Sequence, residues 1–456
     1  LQQCVVYALE NNISIKQADI EARVTALQVK LNEAGFLPDL RFGSNGGFNF
    51  GRSVNPATNT FENTRIFFSS FQLQSNVNLF NWFYQRHITA ASRLERSAAE
   101  ATTEKARNDV ALNVAIAYLQ VLLANEQVAI SRVQIGQSAS QLGQVSKQVN
   151  AGVLPELNAV EMEAQVARDS SNYIGAISIY TQNLIQLKAL LNLDMAVSFD
   201  IVKPEVTLIP VESLADLQPE AVYNMALNNL PQQKSNQLRY QAALKNIDAA
   251  KASMMPTLSA FGSLGSRYSS LFPDQENIVV TPTGKMDTLG FVEIAPGDIR
   301  YALRPDFQFT ARNLAFGRQV FNVNLSQAIG LNLSIPIFSN RQLRTNYERQ
   351  KLNAESMRLR TEQDKMTLKQ DIYLAYNDAV NAQQRYLAAR KGVEASERAF
   401  DFSQKRYNAG LLASLDLITN QNNLYRSRLD AVSAQFEFIF RMKLLEFYKG
   451  QGIRLQ

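Results

Sequence analysis

The chain has 456 residues, enough for several globular domains or for one extended assembly of repeats. Its 46 Lys and Arg stand against 41 Asp and Glu, a mildly basic balance whose charges are scattered rather than gathered into a nucleic-acid patch. Cys4 is the only cysteine, so an intrachain disulfide and a cysteine metal cluster are both excluded.

The first predicted element is a helix over about Gln3–Glu33, with Leu9, Ile13, Ile20, Val24, Leu27 and Leu31 at helical spacings. Gly35 and Pro38 stop it. Cys4 falls at its start. Gln2 and Gln3 do not suit a lipid-attachment signal, so Cys4 is expected as a buried helix residue, and no secretory leader is visible at Leu1. A strand over about 39–52 follows, with Leu40, Phe42, Phe48 and Phe50 on one side. In a second strand, over about 64–80, Phe67, Phe71, Leu73, Val77 and Leu79 alternate with Ser70, Gln72, Gln74, Asn76 and Asn78. One face is apolar, and the other is polar but uncharged. A membrane barrel strand has this pattern, and a half-buried strand of a soluble protein alternates in the same way. Trp82, Phe83 and Tyr84 close the strand, either as aromatics at a membrane interface or as a packed junction. His87, the only histidine, has no catalytic or metal partner nearby in sequence and reads as surface or junction packing.

From about Tyr84 to Val149 the chain lacks proline, and a helix of that length reaches about 100 Å. Val110, Val114, Ala117, Val121, Ala124, Val128, Ser131, Ile135, Ser138, Leu142, Val145 and Val149 form a heptad seam. A second stripe, Leu112, Ile116, Leu119, Leu123, Ile130 and Val133, lies on nearly the opposite side, as a stave in a cylinder requires. No run of about 18 apolar residues is seen, which excludes helical membrane spans at this level. The turn Asn150-Ala151-Gly152-Val153-Leu154-Pro155 ends the helix. Gly152 suits a left-handed closing residue, and Pro155 suits the first turn of a returning helix to Leu193.

The second half repeats this order. ALENN at Ala8–Asn12 returns as ALNNL at Ala226–Leu230, an offset of 218 that also relates Pro38 to Pro256. The offset then becomes 258, relating Phe80 to Phe338 and NAGVL at Asn150–Leu154 to NAGLL at Asn408–Leu412. Strands are expected over about 257–267 and 324–338. Between them, residues 268–322 show no sustained period and are expected to form a long outer loop. The seam recurs as Leu368, Ile372, Ala375, Ala379, Ala382, Tyr386, Ala389, Val393, Ser396, Phe400, Ser403 and Tyr407. The turn Asn408-Ala409-Gly410-Leu411-Leu412-Ala413 then leads into a return helix to about Gly450. The domains are therefore a first repeat over 1–200, a linker over 201–219 with Pro204, Pro210 and Pro219, and a second repeat over 220–456. The aliphatic pairs Val153-Leu154 and Leu411-Leu412 are expected to be exposed at the helical tips.

The doubled openings, the Pro38 and Pro256 junctions and the paired NAGVL and NAGLL turns together resemble the TolC-like outer-membrane efflux family. The resemblance implies a mainly α fold with a transmembrane β-barrel: two tandem pseudo-repeats per chain, and a homotrimer forming an α-helical tunnel and a 12-stranded barrel, since closure leaves no sheet edge in the bilayer. It implies a bacterial outer-membrane location extending into the periplasm. It also implies contact with outer-membrane lipid, a periplasmic membrane-fusion adaptor docked at the tips, an inner-membrane pump behind it, and no nucleic acid. The activity implied is passive export of small molecules such as drugs and toxic compounds. Asp416, six residues past Gly410, matches the family's tunnel-constriction acids; Asn158 takes the equivalent first-half position, and Glu161 is the nearest first-half acid. Leu412 stands where the family often has an arginine. No phosphate loop, nucleophile elbow or metal-spaced cluster is found, so neither an enzyme nor a cofactor is expected. Two alternatives remain at this level: a type I protein-secretion channel, and a soluble coiled-coil structural or adaptor protein.

Overall fold

The computed structural model describes residues 1–54, 61–202 and 212–450. Linker residues Pro204 and Pro210 lie outside them. The chain forms two compact units. One comprises Leu1–Lys30, Ile88–Ile247 and Glu348–Gln456; the other comprises Leu31–His87 and Asp248–Tyr347.

The first unit is helical. Its longest elements are α3 (Tyr84–Asn150) and α8 (Gln342–Asn408), each 67 residues. They return as α4 (Glu156–Leu191) and α9 (Ser414–Tyr448), about half as long. Both heptad seams point inward: none of their side chains is exposed, and in the lower part of α8 the seam residues are nearly the only ones that are not. Small seam residues allow close approach. Ala375, Ala379 and Ala382 are all buried, as are Ser131 and Ser138 in the other copy. Side-chain bonds tie neighbouring helices. Thr103 donates to the Ala18 carbonyl (3.1 Å), Ser235 to that of Ala98 (3.0 Å), and Asn236 to Asp364 (2.6 Å).

The opening helix differs from expectation. It is two helices, α1 (Gln2–Asn11) and α2 (Ile13–Ala34), with Asn12 extended between them. Asn12 donates through Nδ2 to the Leu190 carbonyl at the end of α4 (3.0 Å) and accepts from the Ser14 N–H (2.9 Å). The second copy breaks at the matching place, between α5 (Pro219–Asn229) and α6 (Pro231–Ala252), where Pro231 removes an N–H and restricts Leu230. There Asn229 donates to the Lys449 carbonyl just past α9 (3.0 Å). In both copies an asparagine at the break satisfies an orphan carbonyl at a return helix's C-terminus, and so joins the short helices end to end.

A further correction concerns α3, which holds an 18-residue window apolar enough to cross a membrane, with mean hydropathy 1.3. Half of that window is buried, because Val114, Tyr118, Val121 and Leu122 form the helical core with Ala8, Ile15, Leu187 and Leu191. Half-buried Cys4 packs against the same core.

The second unit carries β1 (Arg41–Val54), β2 (Phe61–Phe80), β3 (Thr257–Ser269) and β6 (Ser326–Ser334) in one antiparallel sheet of order β1-β2-β3-β6. The last strand is shorter than expected, since Pro336 cannot donate to a ladder. Register aligns the alternation of all four strands. Phe42, Leu73 and Leu264 share a face, as do Val77, Ala260 and Leu331. Arg41, Gln74 and Ser263 share the opposite one, with Asn78, Ser259 and Asn332. Phe261 falls on the polar face, as Ile66 and Phe68 do farther along β2, and its ring fills the space over Gly330 that a Cβ would need.

The segment expected as an aperiodic loop is a two-stranded ribbon, β4 (Pro273–Ala295) and β5 (Asp298–Asn313), joined at Gly297 with φ +86° and followed by the single helical turn α7 (Phe316–Arg318). Four register shifts in the pairing disguise its period along β4.

Because Ala379 is fully buried among close-packed helices, Ala379→Leu is expected to overpack the seam by about 1–3 kcal/mol. A lowered helical melting midpoint by circular dichroism checks this, with the exposed substitution Ala388→Leu as the neutral control.

Candidate functional site

Three features carry functional geometry. The first is the sheet. Its apolar face is uncovered: Ile329 is 92% exposed, and Phe42, Phe50, Leu331 and Leu333 are also exposed. A contiguous apolar surface of this extent is not tolerated in water. The opposite face is rich in Ser, Gln and Asn. β1 and β6, the two edge strands, have unpaired outer sides.

The second feature lies where strand passes to helix. Trp82 and Phe83 have φ of 51° and 64°, and the Tyr84 N–H donates to the Asn81 carbonyl (2.9 Å). This is a tight turn with two left-handed central residues, and such residues cost about 1–2 kcal/mol each when they carry a Cβ. The second copy has the same turn. Asn340 and Arg341 have φ of 49° and 63°, and the Gln342 N–H donates to Ser339 (2.8 Å). In the first copy the turn displays aromatics. Trp82, Phe83 and Tyr84 are all exposed; Phe80 touches Trp82 and Phe83 at ring distances of 5.4 and 5.9 Å, and Arg86 lies over Phe83. They do not form a buried junction. His87 is near Asp248 (3.8 Å).

The third feature is the pair of tips. Gly152 and Gly410 have φ of +73° and +71°. Gly152 N–H donates to Val149 and Val153 N–H to Gln148; in the second copy Gly410 donates to Tyr407 and Leu411 to Arg406, all four at 2.9 Å. These are two Schellman closures. Pro155 and Ala413, both extended, precede the return helices. The aliphatic pairs divide, contrary to expectation. Val153 (70%) and Leu411 (69%) are exposed, while Leu154 and Leu412 turn into a cluster with Val145, Met162, Leu417 and Ile418 that joins both hairpins. Asn150, Ala151, Pro155, Asn408 and Ala409 are exposed.

The three candidate constriction residues are not equivalent. Asp416 is exposed in the first turn of α9, where the helix dipole favours a carboxylate. Half-buried Glu161 accepts a hydrogen bond from the buried Ser414 hydroxyl and so bridges α4 to α9. Burial, and to a lesser degree the Glu161 charge, push the Tyr407 phenol above its ordinary pKa. Asn158 is half-buried, with its N–H bonded to the Pro155 carbonyl. Farther along the same helices, buried Asp169 accepts from Gln134 (3.3 Å) and Gln165 (2.9 Å), and Gln165 also bonds Asn422 (2.9 Å). Among the described residues, the buried side-chain amide of Gln421 has no partner.

The family model for outer membrane efflux proteins matches residues 5–193 and 299–437, well over half of the chain. The chain belongs to the outer membrane efflux protein family. Solved structures share the fold of this efflux protein across nearly their whole lengths. The CmeC outer membrane channel of Campylobacter jejuni superposes with a TM-score of 0.75 at 18% identity, covering 100% of this chain and 86% of that one. VceC of Vibrio cholerae, an outer membrane protein, gives 0.72 at 14%, with 99% and 96% covered. The open state of the MtrE outer membrane channel of Neisseria gonorrhoeae gives 0.70 at 18%, with 100% and 90% covered. No curated protein matches the chain.

Two functional features of this efflux protein escaped the sequence reading. The left-handed turns gave no signal at Trp82 and Phe83, although Asn340, a residue that tolerates φ above zero, marks the matching turn. The buried polar layer around Asp169 left only a trace, in the polar residues of the seam.

Arg341 holds a left-handed φ and is exposed. Arg341→Asn is therefore expected to stabilise the strand-to-helix turn by about 1 kcal/mol. A raised thermal unfolding midpoint in detergent checks it.

Proposed function

We propose that three copies of this efflux protein pair β6 of each with β1 of the next, close a twelve-stranded barrel in the bacterial outer membrane, and extend a helical tunnel into the periplasm. The observation that carries this reading is the open-edged sheet with an uncovered apolar face and a polar, largely uncharged one. Hydrocarbon accommodates the first face but not unpaired backbone at the edges, so pairing between copies meets both requirements. A soluble rod would leave both unmet. The exposed Trp82, Phe83 and Tyr84 suit the inner membrane interface.

Transport through such a tunnel is passive: the protein supplies a route, and energy comes from an inner-membrane pump reached through a membrane-fusion adaptor. The tips are the docking surface. Two Schellman turns present Val153 and Leu411 at the ends of rigid hairpins, and the surrounding Asn150, Ala151, Pro155, Asn408 and Ala409 are free to touch a partner. Small molecules, including drugs and toxic compounds, are the cargo class. Around a threefold axis, three Asp416 carboxylates form a negative ring that favours cations. Glu161 supports the ring by fixing α9 through Ser414 rather than by lining it.

A trimer that resists SDS without heating tests the assembly, and a monomer under the same conditions would refute it. Space around Gly410 is open and its left-handed φ costs a side chain about 1–2 kcal/mol, so Gly410→Glu is expected to leave the trimer folded, slightly less stable, while abolishing adaptor crosslinking and export. Retained export would remove the docking role. Asp416→Ala is expected to reduce cation preference severalfold in single-channel recordings, and unchanged selectivity would remove the ring.

A further inference from the structure

The ribbon of β4 and β5 has no counterpart in the first repeat, and the proposed transport route does not use it. Along β5 the alternation is unbroken. Ile299, Tyr301, Leu303, Pro305, Phe307 and Phe309 take one face, and Arg300, Ala302, Arg304, Asp306, Gln308 and Thr310 the other. β4 is out of step in sequence but not in space. Its register shifts set Phe291 opposite Tyr301, Met286 opposite Pro305 and Val280 opposite Phe309, so both strands contribute to one apolar face. Glu293, opposite Ile299 near the tip, is the face's charged residue. All of these large apolar side chains are exposed.

The base is fixed. Fully buried Gln319 accepts from the Ser269 N–H (3.0 Å) and donates to the Ser269 and Leu314 carbonyls (3.0 and 2.7 Å). Leu314 N–H donates to Phe272 (2.8 Å), and Arg318 pairs with Asp274 (3.5 Å) and Glu276. The ribbon is thus aimed by its root, yet an isolated two-stranded ribbon is marginal in water.

We propose that the apolar faces of three ribbons pack against one another on the trimer axis, as a collar beyond the barrel. This rests on the trimeric reading given above. The exposed apolar side chains amount to roughly 1000 Å² per ribbon, against about 800 Å² per partner in a standard interface. Barrel closure brings two further identical faces to the same level with no separate diffusional encounter. Hydrocarbon is the poorer occupant, because both long edges of the ribbon carry unpaired backbone groups that require water. A shared core of three faces leaves those edges, with Arg300 and Arg304, solvated.

Single cysteines in a Cys4→Ser background test this. Tyr301→Cys lies on the apolar face and Arg304→Cys on the opposite one. Intact membranes are treated with a short bismaleimide and run on denaturing gels, with unheated samples alongside to display the trimer. Tyr301→Cys is expected to give at least tenfold more crosslinked dimer than Arg304→Cys. A Tyr301→Cys protein that forms the unheated trimer yet stays uncrosslinked overturns the collar and leaves the barrel standing. Equal crosslinking at the two positions overturns the assignment of faces. Absence of the trimer in the parent protein overturns collar and barrel together.

Discussion

Backbone amides and carbonyls cannot be left unpaired in hydrocarbon, and this constraint underlies the whole chain. The four-stranded sheet satisfies its interior groups through registers that also sort side chains by face, Leu73 with Leu264 on one side and Gln74 with Ser263 on the other. It does not satisfy β1 and β6. On the proposed assembly, the rest of the chain serves to place that sheet in a membrane and close it. The aromatics at its lower end, the rigid helical unit, and a duplicated chain that supplies two strands per copy are all consistent with that one demand.

Within the helices, side-chain size is the corresponding constraint. Ala375, Ala379 and Ala382, with Ser131 and Ser138 in the first copy, permit close contact along α8 and α3. Toward the tips, apolar packing gives way to mixed contacts. Leu154 and Leu412 share a small core, Ser414 bonds Glu161, and Gln165 bonds both Asp169 and Asn422. Hydrogen-bonded contacts between hairpins specify one alignment more sharply than apolar ones, since a slip leaves buried groups unpaired.

Much of this was legible in the sequence. The two offsets located the long helices, their return helices and the four sheet strands, and both seams ran inward as the heptads required. The tip glycines carried their own signature, because a left-handed closing position favours glycine. What was hidden depended on geometry that residue types do not encode. Trp82 and Phe83 belong to no turn alphabet, yet both are left-handed. The break at Asn12 has no proline to announce it and appears only through the bond to Leu190. Leu154 and Leu412 had the same sequence character as their exposed neighbours, and only the direction of the chain after each glycine separates them. The period of β5 was present over Ile299–Phe309 but was masked by the shifts in β4, which make the segment aperiodic as a whole.

The paired left-handed turns have a consequence for how the two repeats diverged. Trp82-Phe83 and Asn340-Arg341 share a backbone and almost nothing else: one pair is aromatic, the other polar and charged. The same main-chain bond closes both turns, from Tyr84 to Asn81 and from Gln342 to Ser339. The angle at which strand hands over to helix is therefore written in the main chain, like a joint cut to a fixed bevel. Side chains at the joint were then free to specialise, since none of them was needed to hold its shape.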